Sequence, residues 1–247
     1  MSYIGTGKIK IAAYSSGASF AARKFLDVGN ASTLEFSFSE QKKELPDYQD
    51  PAGDVAASVS KVDKVEGKIS LRNFRASNLA MALWGTTSTL NTTAITGEAH
   101  VINAGAFVPT NRLINTSVAP VVKKGATTVN TADYTVSKGG ITIAATISTA
   151  GVVDGDAITI DYTPVASADV QALVNAAPDV SIMFEGINAV DSKYGTTRIY
   201  KAKLGVASNV SLIGDDFATL DISCTVQKDT TVIGAGISQF IKQEFEA

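Results

Sequence analysis

Residues 28–72 read VGNASTLEFSFSEQKKELPDYQDPAGDVAASVSKVDKVEGKISLR, and the parsing of this stretch decides the fold. From Thr33 to Ser39 the chain alternates strictly, with Leu34, Phe36 and Phe38 on one face and Thr33, Glu35, Ser37 and Ser39 on the other. That period of two is the signature of a strand buried on one side. Lys64 to Arg72 repeats it, with Val65, Ile69 and Leu71 inward and Glu66, Lys68, Ser70 and Arg72 outward. Between them, from Glu40 to Lys61, lie about 20 residues without an apolar period, and a connection that long is usually disordered or functional in a compact domain. Extended at about 3.3 Å per residue, it reaches well beyond its own domain. The expectation is two strands joined by a long polar loop that acts as an arm toward a neighbouring molecule.

Working outward, residues 73–85, NFRASNLAMALWG, predict the one clear helix. Leu79, Ala82 and Leu83 share a face, Ser77 or Asn78 serves as the N-terminal cap, and Gly85 suits a left-handed stop. Trp84, the single tryptophan, is read as a core anchor. The Thr-, Ser- and Asn-rich run 86–96 reads as a linker or mobile loop. Residues 98–165 then change to short β runs separated by turns at 138–140 and 153–156, the pattern of a small β-sandwich inserted into a larger domain. Residues 168–177 suggest a short helix closed by Pro178. Long strands are expected at Asp179 to Asn188, Thr196 to Val206 and Ala218 to Lys228, the last with Leu220, Ile222, Cys224 and Val226 on one face. On the amino-terminal side Lys8 to Ile11 is a short strand, and Arg23 to Asn30 leads into the opening strand. The tail from Thr230 to Ala247 is read as docking on another subunit.

Composition narrows the functional classes. Apolar residues make up 45%, enough for an ordinary core, while charged residues at 18% are few for a highly charged monomer surface. A net charge of −3 with no concentrated Lys/Arg surface argues against phosphate gripping. The single cysteine, Cys224, excludes an intrachain disulfide and a cysteine zinc site and fits a reducing compartment. Residues 1–25 lack the succession of a signal peptide, and no apolar run approaches the roughly 20 residues of a membrane helix, so no membrane insertion is expected.

Chemistry finds few footholds. Any Ser-His-Asp or Cys-His scheme must pass through His100, the single histidine, which the sequence places in a surface loop with no G-x-S-x-G elbow elsewhere. Asp154-Gly155-Asp156 and Asp215-Asp216 do not extend into a calcium loop and are read as turn aspartates. Gly5-Thr6-Gly7 lacks the preceding strand of a phosphate loop. Lys42-Lys43 is flanked by Glu40 and Glu44, which cancel its field. The expectation is a protein that is not an enzyme and carries no metal or cofactor.

The ordered succession of LEFSFSEQKKELPDY at 34–48, Pro51-Ala52-Gly53, VDKVEGKISL at 62–71, Ser77-Asn78-Leu79-Ala80 and Leu83-Trp84-Gly85 resembles the major tail tube protein of long-tailed bacteriophages. Asp133-Tyr134, Gly139-Gly140-Ile141, FEGIN at 184–188 and SLIGDDF at 211–217 continue the resemblance over nearly the full chain. It implies a mainly β fold: a tail-tube β-sandwich or barrel with one flanking helix over residues 1–97 and 166–247, and an immunoglobulin-like domain inserted at 98–165. It further implies a virion tail protein assembled in the bacterial cytoplasm, with hexameric rings stacking into a hollow tube that conducts DNA without binding it specifically. Tape measure, tail terminator and baseplate proteins are the implied partners. The contacts between subunits or rings are placed on Glu40, Lys42, Lys43, Glu44, Leu45, Pro46, Asp47, Tyr48, Pro51 and Gly53, with Leu79, Leu83 and Trp84 anchoring the helix. A conduit needs a neutral to acidic lumen, for which Glu35, Glu66 and Asp221 are the candidates. The alternatives are the inner tube of a contractile tail or phage-derived injection machine, which shares the fold, and a β-sandwich adhesin or binding module.

Overall fold

A computed structural model describes residues 5–49 and 54–247. The chain is mainly β and divides into two compact units, one formed by the chain up to Thr87 and from Val170 on, the other by Ser88–Asp169. In chain order the first unit supplies β1 (Gly5–Ala13), β2 (Leu26–Asp27), β3 (Ala31–Pro46), β4 (Val55–Leu71) and helix α1 (Ala76–Ala82). Strand β5 (Thr86–Leu90) leads out of it. The second unit contains β6 (Ile95–Val101), β7 (Phe107–Pro109), β8 (Val121–Lys124), β9 (Thr127–Thr128), β10 (Tyr134–Ser137), β11 (Gly140–Ile143) and β12 (Ala157–Tyr162). The chain returns through β13 (Ser167–Gln171) and completes the first unit with β14 (Asp179–Asn188), β15 (Tyr194–Leu204), β16 (Leu220–Gln227) and β17 (Ile241–Phe245).

The first unit is built on one antiparallel sheet in the order β2-β1-β14-β15-β16-β4-β3, with β17 attached to β15. On the side away from β14, β15 pairs through Gly195–Ile199 with β17 and through Lys201–Leu204 with β16. The changeover coincides with a bulge: Ile182 opposes Ile199, yet Val180 opposes Ala202. One face of the sheet carries the core, with Ile9, Ile11, Ile69, Leu71, Ile182, Ile199, Leu204, Leu220 and Ile222 buried and Ala82, Leu79 and Met81 of α1 packed over them. Fully burying each such branched side chain contributes about 1.5–3 kcal/mol, which is why the alternation in β4 and β16 holds the register. Cys224 lies in this core, and burial pushes its thiol up to about 11.

The second unit has its own core. Ile102, Ile114, Val122, Ile141 and Ile160 are fully buried between a three-stranded sheet, β10-β11-β7, and a four-stranded one, β6-β12-β8-β9. The turns read at 138–140 and 153–156 join elements as expected, with Ser137 opposite Gly140 and Gly155 at a φ of 85°. Asp133 is buried and accepts hydrogen bonds from the backbone and hydroxyl groups of both Ser148 and Thr149. Those bonds hold its carboxyl at about 2. This unit encloses the 98–165 segment read from sequence.

Several local expectations are corrected. The run 86–96 is not all loop, because its β-branched threonines let Thr86–Leu90 pair as β5 with β13. The same pairing makes Ser167–Gln171 a strand where a helix was expected, and Leu173 after it turns at a φ of 60°. At the start of α1, Arg75 occupies the cap position without a side-chain bond. Asn78 is instead buried, its amide donating to the Val28 and Asn73 carbonyls at 2.8 and 2.9 Å. The left-handed residue at the end of α1 is Trp84, at a φ of 49°. Gly85 is required for a different reason, since a Cβ there would lie 2.3 Å from the Gln171 carbonyl oxygen. The carboxyl-terminal strand β17 pairs with β15 of its own chain.

Candidate functional site

The stretch from Glu40 to Lys61 is the largest correction: both strands simply continue. Glu40 opposes Val62, Lys42 opposes Ser60, Glu44 opposes Ser58 and Pro46 opposes Val55, with register shifts after Ser39 and Leu45. Pairing of β4 with β16 ends at Glu66 opposite Thr225. Beyond that rung β4 has only β3 beside it, so Val55 to Val65 and its partner form a two-stranded arm about 36 Å long at about 3.3 Å per residue. Sequence periodicity missed it because both faces of such a ribbon meet solvent and no alternation is selected. Lys42 with Glu44 at 2.5 Å and Lys64 with Glu66 at 2.8 Å decorate it with exposed ion pairs of small worth. At its described end the Asp47 amide donates to the Asp54 carbonyl at 2.6 Å.

Of the residues assigned to subunit contacts, Glu40, Lys42, Lys43, Glu44, Leu45 and Pro46 thus lie on β3, and Asp47 and Tyr48 follow it. Pro51 and Gly53 fall outside the described residues. The arm is apolar as well as charged: Tyr48 is 85% exposed and Val59 70%, and Phe38, Leu45, Val55 and Val62 are also exposed. An isolated two-stranded hairpin is marginal in water, so exposed apolar side chains on one mark a surface that is stabilised when something covers it.

Glu35, Glu66 and Asp221 come together on the polar face of β3, β4 and β16. Glu35 opposes Lys68, Glu66 opposes Ser37, and Asp221 opposes Ser70, whose hydroxyl donates to it at 2.6 Å. They line a shallow concavity of about 660 Å³ with Lys68 among them, 3.9 Å from Asp221. Leu79 packs on the core, while Leu83 and Trp84 are half-buried and their carbonyls accept from the amides of Leu173 and Asn175.

Two features have no sequence signal. The core face of the sheet is left open near Phe36: one groove of about 720 Å³ is lined by Phe36, Phe184 and Phe245 over Gly5, Gly7 and Gly195, and a second of about 730 Å³ by Phe36, Phe38, Val62, Phe240 and Ile241. Gly7 and Gly186 make room for the Phe184 ring, which lies 2.8 and 2.5 Å from where their Cβ atoms would stand. The other is a buried polar cluster. Arg23 Nη2 donates to Asp229 Oδ2 at 2.8 Å, and its Nη1 donates to Ser181 Oγ and to the Tyr200 carbonyl beside the β15 bulge. The guanidinium lies 4.5 Å from the centre of the Tyr14 ring, and the Tyr14 hydroxyl donates to Asp229. Burial works to raise the Asp229 carboxyl, but hydrogen bonds from Thr231, Arg23 and Tyr14 outweigh it and hold the group below the usual range. Segments 206 residues apart meet here, so no local pattern announces the contact.

In the second unit His100 lies on β6, half-buried, rather than in a surface loop. Its Nε2 is 2.7 Å from Glu98, which also accepts from the Tyr162 hydroxyl and the Asn111 amide. Asp154 accepts from the Ala104 amide, and Asp156 accepts from Lys124 and the Val153 amide, as turn aspartates do. Among the described residues no helix is long and apolar enough to cross a membrane.

The model of a family described as a protein of unknown function, UCP028589, matches residues 2–244. No curated protein matches the chain.

Proposed function

We propose that this chain, which belongs to the UCP028589 family of unknown function, is a self-assembling structural subunit: a tail tube protein whose copies close into hexameric rings that stack into a DNA-conducting tube of a phage tail. The observation that carries the reading is the β3–β4 arm, a ribbon with exposed apolar side chains and unpaired edges that extends past its own sheet. Unpaired edges and exposed apolar strands are aggregation hazards in a monomer, and a closed ring of heterologous contacts removes them. The resemblance over residues 34–85 and 133–217 supports the same assignment. The β3–β4–β16 part of the outward face, bearing Glu35, Glu66, Asp221, Lys64 and Lys68, is lightly acidic, which suits a lumen that passes DNA without holding its phosphates, and on this reading the lysine-rich β1–β14–β15–β17 part of the same face is covered by a neighbouring copy. Ser88–Asp169 is then the immunoglobulin-like insert, and tape measure, terminator and baseplate proteins are the partners at the tube ends.

The test is negative-stain electron microscopy with light scattering on the purified full chain across a concentration series. Rings or hollow tubes are expected as concentration rises. A protein that stays monomeric at high concentration overturns the reading. The separate core of the second unit favours one other reading, a β-sandwich adhesin, which predicts a monomer or trimer and a glycan or receptor bound by Ser88–Asp169.

A further inference from the structure

The outward face of the first unit's sheet is unevenly charged. Across β1, β14, β15 and β17 it carries Lys8, Lys10, Arg198, Lys201, Lys203 and Lys242 against Asp179, Glu185 and Glu244, six positive groups against three negative. The three acids are shared out: Glu185 pairs with Lys10, Asp179 with Lys201 and Lys203, and Glu244 with Lys242 and Arg198. Three positive charges are left over on these four strands, about 20 Å across at 4.8 Å per strand, and two once Asp27 of β2, which opposes Lys10, is counted.

The arm has the opposite imbalance. From Glu44 to Ser60 the sequence contains Glu44, Asp47, Asp50 and Asp54 and no lysine or arginine. Glu44 is paired with Lys42, and Asp47 and Asp54 have no basic partner among the described residues. One chain therefore carries an acidic arm segment and a basic face of opposite sign. Among the described residues no ion pair joins the two, and in the strand order the arm's strands lie at the other end from β1 and β14.

We infer that the acidic end of the β3–β4 arm of one copy docks across the basic β1–β14–β15–β17 face of the next. The inference rests on the assembly reading and names the surface that the arm engages. The contact is heterologous, so every copy uses both halves and the series closes into a ring when the rotation allows. Opposed charges of this kind chiefly set encounter rate and register. Tyr48 and Leu45, exposed beside the acids, supply the apolar contact once the surfaces meet.

The experiment is a charge swap on the full chain, with assembly followed by light scattering and microscopy. Lys8→Glu with Lys203→Glu reverses the face, and Asp47→Lys with Asp54→Lys reverses the arm. Lys8, Lys203 and Asp54 are exposed and Asp47 is half-buried, and circular dichroism confirms the fold of each variant, with the neutral pair Lys8→Gln and Lys203→Gln as a milder version. Each reversed variant alone is expected to assemble about tenfold more slowly or worse at low salt. An equimolar mixture of the two recovers, because each arm again faces an opposite charge. Wild-type assembly slows between about 50 and about 500 mM NaCl, as the screening length shrinks from about 14 to about 4 Å. Assembly of both variants at the wild-type rate, or a mixture that fails to recover, overturns the docking while leaving the assembly reading intact. A wild type that never assembles overturns both.

Discussion

Substituting Asp229→Asn tests the buried cluster that ties the chain before β2 to the segment before β17. Arg23 and Asp229 are 1% and 0% exposed at their side chains, and asparagine keeps the shape while leaving the guanidinium as a buried, uncompensated cation. Breaking one partner of such a pair costs about 3–5 kcal/mol. At about 2–4 °C per kcal/mol for a unit of this size, the first unit's Tm falls by roughly 10 °C. Calorimetry at pH 7 measures this, with urea unfolding followed at a probe in the first unit. The double substitution Arg23→Met with Asp229→Leu removes both charges and costs less than either single change. The pH profile supplies an independent check. The Asp229 carboxyl is depressed in the folded protein, so its contribution is complete above the ordinary carboxyl value near 3.9 and disappears as pH falls through the lower folded value. The stability gap between wild type and Asp229→Asn is therefore constant from about pH 8 to pH 5 and closes below about pH 4. A variant within about 1 kcal/mol of wild type at pH 7, or a gap unchanged down to pH 2, refutes the reasoning.

Replacing residues 42–59 with a two-residue turn removes the arm beyond the sheet; the circular dichroism spectrum should be unchanged and tube growth abolished, and normal tubes would dismiss the arm as an assembly element. Ile222→Ala, in the middle of β16 at full burial, should lower stability by about 2–5 kcal/mol in chemical denaturation. Gly7→Ala should cost about 1–3 kcal/mol, because its Cβ would stand 2.2 Å from the Glu185 carbonyl oxygen, whereas Gly17→Ala, with nothing within 4 Å, should be close to neutral. In the second unit Asp133→Asn should lower the Tm at pH 7. The wild-type contribution of this carboxyl is complete above its ordinary value, because the folded value lies lower, at about 2, and it is lost as pH falls toward that value.

The alternation in residues 33–39, 64–72 and 218–228 was enough to place β3, β4 and β16 and to orient Leu34, Phe36, Ile69, Leu71 and Ile222 toward the core, because burying one face of a strand imposes a period of two on its own residues. The turns at 138–140 and 153–156 and the extent of β14 were legible for the same reason, since turn chemistry and strand propensity are local. Glu35, Glu66 and Asp221 were legible as outward residues, but their meeting on one polar concavity required the strand order β16-β4-β3.

Where structure overruled sequence, the deciding contact was usually one that local periodicity does not record. Residues 86–90 and 167–171 became strands only because each found the other, and Trp84 took the left-handed conformation where the local pattern favoured Gly85. The Arg23–Asp229 pair joins positions that no periodicity connects. Glu40 to Lys61 shows both limits. Its length, charge and lack of a buried face are written in the sequence, so that a long polar excursion between two strands was fixed by composition alone. That the excursion is a continuous hairpin was decided by the β3–β4 register, because hydrogen bonding between two solvent-facing strands leaves the side chains free and writes no pattern into them.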